Sequence, residues 1–205
     1  ELEEVLEKAA YSVAAVRVRK VTRQPAAPFI TSTLQQEAWR RLHFRAAQTM
    51  ATAQQLYEGI EIAGEGSVGL ITYMRTDSTN VARTAIAEAR ELIETKYGKE
   101  FLPPHARTFT RVVKGAQEAH EAIRPTRMAR EPALIRKFLT PAQFRLYDII
   151  WKRMVASQMA PALFDSTTVD IEAKCRKPDP DYNFRTTTSI NRFQGFMVLY
   201  EEQRD

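Results

Sequence analysis

The spacing of apolar positions divides the chain into strand-like ends and a helical middle. Leu2, Val5, Leu6 and Ala9 follow helical spacing, so residues 2–10 read as a short helix. Val16-Arg17-Val18-Arg19 then alternates, and residues 12–22 read as a strand. Pro25-Ala26-Ala27-Pro28 breaks the pattern and marks a crossing between domains. Leu34, Ala38, Trp39, Leu42, Ala46, Met50, Ala53 and Leu56 recur three to four apart, which predicts one long amphipathic helix over 33–57. Ser32 with Gln35, or Thr33 with Gln36, offers a capping box at its start. Gly59, Gly64, Gly66 and Gly69 predict a flexible loop after it.

Leu70 to Met74 is a short apolar approach to the next helix, which Asp77, Ser78 or Thr79 can cap. Its buried stripe is Val81, Ala85, Ala89, Leu92 and Ile93, and Gly98 suits its end. Residues 116–123 read as a short helix stopped by Pro125. Glu131-Pro132 and Thr140-Pro141 both fit an N-cap followed by a first-turn proline, and the second opens a helix over 141–159. Beyond Pro161 the period changes to two. Val169, Ile171, Ala173 and Cys175 form one strand, Tyr182 to Ile190 a second, and Phe196 to Tyr200 a third. The economical fold is α+β: a mainly helical domain, 25–156, inserted into a discontinuous antiparallel β domain made of 1–24 and 157–205.

Composition sharpens this division. The chain has 205 residues, 44% of them apolar, which is enough for a packed core and excludes wholesale disorder. Thirty Lys and Arg against twenty-five Asp and Glu give a net charge of +5. Residues 1–24 carry +1, residues 25–160 carry +6 and residues 161–205 carry −2, so the basic excess lies in the helical middle. That favours an anionic partner, although solvated helix faces have the same charge pattern. Cys175 is the only cysteine, so no disulfide frame or CxxC metal site exists, which fits a reducing cytoplasm. No apolar run is long enough to cross a membrane, and the start is not a signal peptide. The chain does not begin with Met, so it is expected to be a piece of a longer protein.

Residues 69–80 are the most informative stretch. Tyr73 lies between a glycine-rich loop and an expected helix start, with Arg75 two residues on. Helix N-termini hold phosphate well. A tyrosine hydroxyl, with a pKa near 10, needs nearby cationic charge to become a good nucleophile at neutral pH. Tyr73 could therefore attack a phosphodiester that Arg75 steadies; the plain alternative is a surface tyrosine beside a capped helix. His120 and Arg124 are four apart and would share a helical face, either on phosphate or as ordinary surface pairs. Neither a P-loop, a GxGxxG nor an HExxH is present, and no His/Cys cluster suits a metal.

Taken together, three segments resemble type IA DNA topoisomerases, the bacterial topoisomerase I family. Residues 70–80, with the core Ile71-Thr72-Tyr73-Met74-Arg75-Thr76-Asp77-Ser78-Thr79, resemble that family's active-site tyrosine motif. Residues 28–38 and residues 119–125 resemble two further family segments, in the family's order. The resemblance covers nearly the whole chain. It implies that Tyr73 is the nucleophile that cuts one strand of DNA through a 5′-phosphotyrosyl link, with Arg75 as its phosphate-stabilising partner. It implies that His120 contacts DNA at the same site, with Thr76, Asp77, Ser78, Asn80 and Arg124 as further DNA-binding residues. The intact family enzyme relaxes negative supercoils without ATP, because the covalent link stores the phosphodiester energy. In the family fold the tyrosine-bearing domain is a gate hinged on a β-rich arch. The family's activity also needs Mg²⁺ held by an acidic N-terminal domain, and no carboxylate cluster here matches it. The expectation is a monomeric, cytoplasmic gate-and-arch piece that is inactive alone, binds single-stranded DNA weakly and has that acidic domain as its natural partner. The competing expectations are a single-stranded DNA-binding module in which Tyr73 stacks on a base, and a hinged scaffold without chemistry.

Overall fold

The computed structural model describes residues 2–109 and 120–200. The chain divides into two compact units, Glu1–Arg23 with Ala162–Gln194, and Gln24–Pro161 with the segment that begins at Gly195. The first unit opens with helix α1 (Leu2–Glu7), shorter than the spacing predicts, and continues into strand β1 (Ala10–Arg23). Strands β4 (Ala162–Lys174) and β5 (Tyr182–Phe193) complete a three-stranded antiparallel sheet in the order β1-β4-β5. β1 pairs with β4 from Ala10 opposite Lys174 to Arg23 opposite Ala162, with an irregularity between Val13 and Ala15. Charge and hydroxyl pairs tie the strands together. Asp170 lies between Arg17 and Arg185, Arg192 Nε donates to Asp165 at 2.8 Å, and the Thr168 and Thr187 hydroxyls meet at 3.1 Å.

The second unit contains α2 (Thr31–Leu42), α3 (Ala46–Glu58), a hairpin of β2 (Ile60–Ile62) and β3 (Gly66–Val68), α4 (Arg83–Tyr97), α5 (Pro132–Ile135) and α6 (Pro141–Ser157). α6 starts where the sequence predicts. The Thr140 hydroxyl accepts the Gln143 N–H at 3.3 Å, and the Gln143 side chain accepts the Thr140 N–H at 2.9 Å. Its Leu146, Tyr147, Ile150, Trp151, Met154 and Val155 form the centre of the core. Their polar atoms are satisfied in place: Tyr147 donates to the Arg130 carbonyl at 2.7 Å and Trp151 Nε1 to the Met128 carbonyl at 2.9 Å.

Five expectations are corrected. The single helix over 33–57 is two, because His43 takes a left-handed conformation at φ 57° and Phe44 N–H closes back on the Ala38 carbonyl, burying the Phe44 ring. The glycine-rich segment is the β2–β3 hairpin, with Gly64 at positive φ in its turn and Gly66 at positive φ where β3 begins. None of Asp77, Ser78 and Thr79 caps α4, which starts ten residues after Tyr73 with Ala82 as N-cap. Of the helix expected over 116–123, residues 116–119 lie outside the described residues and residues 120–123 are extended. The apolar run 196–200 is not a third strand. Gly195–Val198 forms a 3₁₀ turn in the helical unit, where Phe196 N–H reaches the Ala160 carbonyl at 2.9 Å and Phe196 and Tyr200 are buried. A Cβ on Gly195 would lie 2.3 Å from the Pro161 carbonyl, so only glycine allows this approach. A continuous apolar run has no period, so the sequence could not separate turn from strand.

Candidate active site

Three extended segments meet beneath the start of α2. Phe29 forms an antiparallel bridge with Ile123, and Ile71 forms one with Pro125. Ala122, Ile123, Leu70 and Ile71 are buried, so the main chain here is shielded and its polar groups need partners. Two threonines supply them. Thr72 Oγ1 lies 2.6 Å from the Ala122 carbonyl and accepts the Arg124 N–H at 3.0 Å, while Thr72 N–H donates to the Arg124 carbonyl at 2.9 Å. Thr31, first residue of α2, has its hydroxyl 2.8 Å from the Met74 carbonyl and accepts the Thr76 N–H at 2.9 Å. Its own N–H donates to the Thr76 carbonyl at 2.9 Å. Neither threonine has a signal in apolar periodicity, because both bonds reach across more than forty residues of chain.

Pinned in this way, residues 72–77 form a non-helical strip, bent at Met74 and Arg75, whose burial alternates. Met74 and Thr76 face inward, whereas Tyr73, Arg75 and Asp77 are exposed. The strip does not continue into a helix. The Thr76 hydroxyl accepts the Ser78 N–H at 3.0 Å and the Ser78 hydroxyl accepts the Asn80 N–H at 3.2 Å, so these side chains claim the amides a helix would use. The Asn80 carbonyl accepts the Ala122 N–H at 2.8 Å. Glu121 completes the frame. One carboxylate oxygen accepts the Ala82 N–H at 2.6 Å at the start of α4, and the other pairs with Arg124 at 2.6 Å.

The frame leaves an open cleft of about 460 Å³ lined by Ile30, Thr31, Ser32, Gln35, Arg75, Thr76, Asp77 and His120. Of the residues expected from sequence, Arg75, Thr76, Asp77 and His120 share this cleft. The helix N-terminus beside it belongs to α2, not to α4, and lies 45 residues earlier in sequence than the threonine it is bonded to. Tyr73 is not one of the lining residues. Its exposed ring packs edge-on against Tyr57 with centroids 5.4 Å apart. Arg124 does not reach the cleft face as expected; its guanidinium is mostly buried, paired with Glu121 and bonded to the Pro125 carbonyl at 2.9 Å. His120 and Arg124 therefore share no helical face, because the segment between them is extended. Ser78 and Asn80 are not among the residues that line the cleft.

The chemistry available is anion binding. A guanidinium, an imidazole, three hydroxyl residues, an amide side chain and a helix N-terminus line one volume, with Asp77 as the single carboxylate. Among the described residues no three His, Cys, Asp or Glu side chains converge to hold a metal ion. Among them, too, no helix is long and apolar enough to cross a membrane.

A DNA topoisomerase family model matches residues 1–205. DNA topoisomerase 1 from two strains of Xylella fastidiosa, Temecula1 and 9a5c, is 50% identical over 183 residues, covering 89% of this chain and 22% of each relative. Full-length topoisomerase I from Thermotoga maritima has a similar structure, with a TM-score of 0.83 at 37% identity over 99% of this chain and 32% of that one. The chain thus spans under a third of the length of these relatives.

Proposed function

We propose a strand-cleaving role whose premise is plain: the chain belongs to the bacterial type IA DNA topoisomerase family. In this reading Tyr73 Oη attacks a phosphodiester of single-stranded DNA. An O–P bond forms to the tyrosine, the bond from phosphorus to the 3′-oxygen breaks, and that oxygen leaves as a 3′-hydroxyl. The DNA stays attached through its 5′-phosphate. Charge grows on the non-bridging oxygens as the fifth bond forms, and Arg75, His120 and the first turn of α2 are the groups that can meet it. Return of the 3′-hydroxyl reverses the step, so no nucleotide is needed to reseal the strand. In the intact protein the cycle relaxes negative supercoils.

The observation that carries this reading is the convergence of Arg75 and His120 on one cleft at the N-terminus of α2, with Tyr73 exposed on the strip that bears Arg75. The described residues do not fit a resident metal ion. Mg²⁺ therefore belongs, in this proposal, to an acidic domain of the longer protein, and no step above is routed through it. By itself the chain binds single-stranded DNA as a monomer and completes no turnover; the work of a DNA-acting enzyme of this kind is cytoplasmic.

The test combines the chain with a separately prepared acidic domain of a family member, Mg²⁺ and a 3′-labelled single-stranded oligonucleotide. Label is expected to become covalently attached, and Tyr73→Phe is expected to abolish attachment without changing the thermal midpoint. Equal labelling of both proteins would remove Tyr73 from the chemistry. A second reading has its own observation: the exposed Tyr57–Tyr73 pair can stack on a base without reacting. The same variant separates the two, since phenylalanine still stacks but forms no phosphate ester.

A further inference from the structure

The exposed side of α2 continues away from the cleft as a polar face with one exception. Ser32 and Gln35 line the cleft, and Ser32, Gln36, Trp39, Arg40 and His43 follow at intervals of three or four, so they share one exposed side of the helix. Trp39 is 57% exposed in the middle of that side. A single indole among glutamine, arginine and histidine is too small a patch to dock a protein, but it matches the face of one nucleobase. The far end of the helix is basic. His43 is followed by exposed Arg45, and the Arg145 guanidinium lies 5.0 Å over the Phe44 ring at the same turn. The only acidic residue of α2, Glu37, points the other way, buried against Arg41 and Tyr200. The exposed side of the helix therefore combines a flat aromatic surface with positive charge, the two features that a single strand of nucleic acid requires.

We propose that Trp39 is a base-stacking platform for single-stranded DNA leaving the Arg75–His120 cleft along α2. Seven residues separate Ser32 from Trp39, roughly 10 Å along the helix axis. The base that stacks thus belongs to the same strand as the phosphate in the cleft but lies outside the reacting linkage. The platform helps to hold and register the strand and takes no part in the chemistry. This inference rests on the DNA-cleavage reading above and adds a subsite to it.

The molecule carries its own reporter. Its other tryptophan, Trp151, is 3% exposed and bonded through Nε1 to the Met128 carbonyl, so a fluorescence change on DNA binding reports Trp39. The 205-residue chain is titrated with a labelled single-stranded oligonucleotide, with anisotropy of the label reporting binding and intrinsic fluorescence reporting stacking. Quenching that saturates with binding is expected, and Trp39→Ala should weaken affinity roughly tenfold or more while Trp39→Phe keeps most of it. Oligonucleotides carrying one abasic position, moved stepwise along the strand, should bind more weakly to the parent at one position. At that position they should show no further loss with Trp39→Ala. Unchanged tryptophan fluorescence at saturation, no binding at all, or a Trp39→Ala affinity within twofold of the parent would each overturn the platform. Covalent capture by Tyr73 is scored separately with Tyr73→Phe, so failure of the platform and failure of the cleavage reading are told apart.

Discussion

The helical unit and the sheet unit are stabilised in different ways. The helical unit buries Phe29, Leu34, Leu56, Leu70, Ile71, Ile123, Leu146, Tyr147 and Ile150 almost completely, and the polar atoms of Tyr147 and Trp151 end on main-chain carbonyls. In the sheet unit only Ala162, Ser166 and Ala173 are buried among the described residues. Val13, Val16 and Val18 are more than half exposed, and ion pairs and hydroxyl pairs run across the strands. Exposed pairs of that kind contribute little individually. The difference explains where the candidate site is built. A loop can be held in an extended, non-helical shape only where dry surroundings make every unmade hydrogen bond costly, and the helical unit offers those surroundings.

The largest test of this contrast compares two truncations. Ile150→Ala, at a position with no exposure, is expected to cost about 2–5 kcal/mol in denaturant unfolding, through lost burial and the cavity left behind. Val18→Ala, at 66% exposure, should cost less than about 0.5 kcal/mol. Comparable losses would mean that the sheet's valines are packed in solution, and the contrast would fail.

A smaller effect is expected inside the site. Thr31→Val removes the acceptor of the Thr76 N–H and the hydroxyl beside the Met74 carbonyl while keeping the shape, for about 1–3 kcal/mol. Thr31→Ser should recover most of that loss. Covalent capture should fall with Thr31→Val even at temperatures where the protein is fully folded, because the strip carrying Tyr73 and Arg75 is then tied less firmly to α2. Capture at the parent rate would show that the strip holds its position without this residue.

The smallest effects separate the units by pH. Burial pushes the Tyr147 and Tyr200 phenols well above their ordinary value, and Tyr200 also donates to Glu37. A phenol whose folded pKa is raised contributes stability fully present below about pH 10, where free tyrosine begins to ionise, and lost as pH rises beyond it. The helical unit should therefore fail from the alkaline side, with phenolate absorbance and loss of helix appearing together. In the sheet, the hydrogen bond from Arg185, together with Arg17, holds the Asp170 carboxyl below the usual range. Its contribution is present above about pH 4 and disappears as pH falls through the depressed pKa. Asp170→Asn should flatten the acid arm of sheet unfolding and leave the alkaline arm unchanged. An acid arm that survives the substitution would assign it to another carboxylate.

Much of the fold can be read from local pattern. The alternation of Val16 to Arg19 and of Val169 to Cys175 identifies β1 and β4, Thr140-Pro141 with Gln143 starts α6, and Gly98 ends α4. In each case the signal lies within a few residues of the element it specifies. Two of the family-like segments, 70–80 and 119–125, also contain the candidate residues Tyr73, Arg75 and His120. The rest depends on contacts that no window of sequence contains. His43 adopts a left-handed turn because Phe44 has a buried place to fill. Residues 120–125 are not helical, because Phe29 and Ile71 bridge to Ile123 and Pro125. Arg124 is held by Glu121, three residues before it, and is not among the residues that line the cleft. Gly195 to Tyr200 leaves the sheet because the helical core can bury Phe196 and Tyr200. The sequence by itself determined the candidate residues, Tyr73, Arg75 and His120, and the periods of most elements around them. Tertiary structure alone decided which helix end faces the cleft, since that choice rests on Thr31 and Thr72 hydrogen-bonding to chain 45 and 52 residues away.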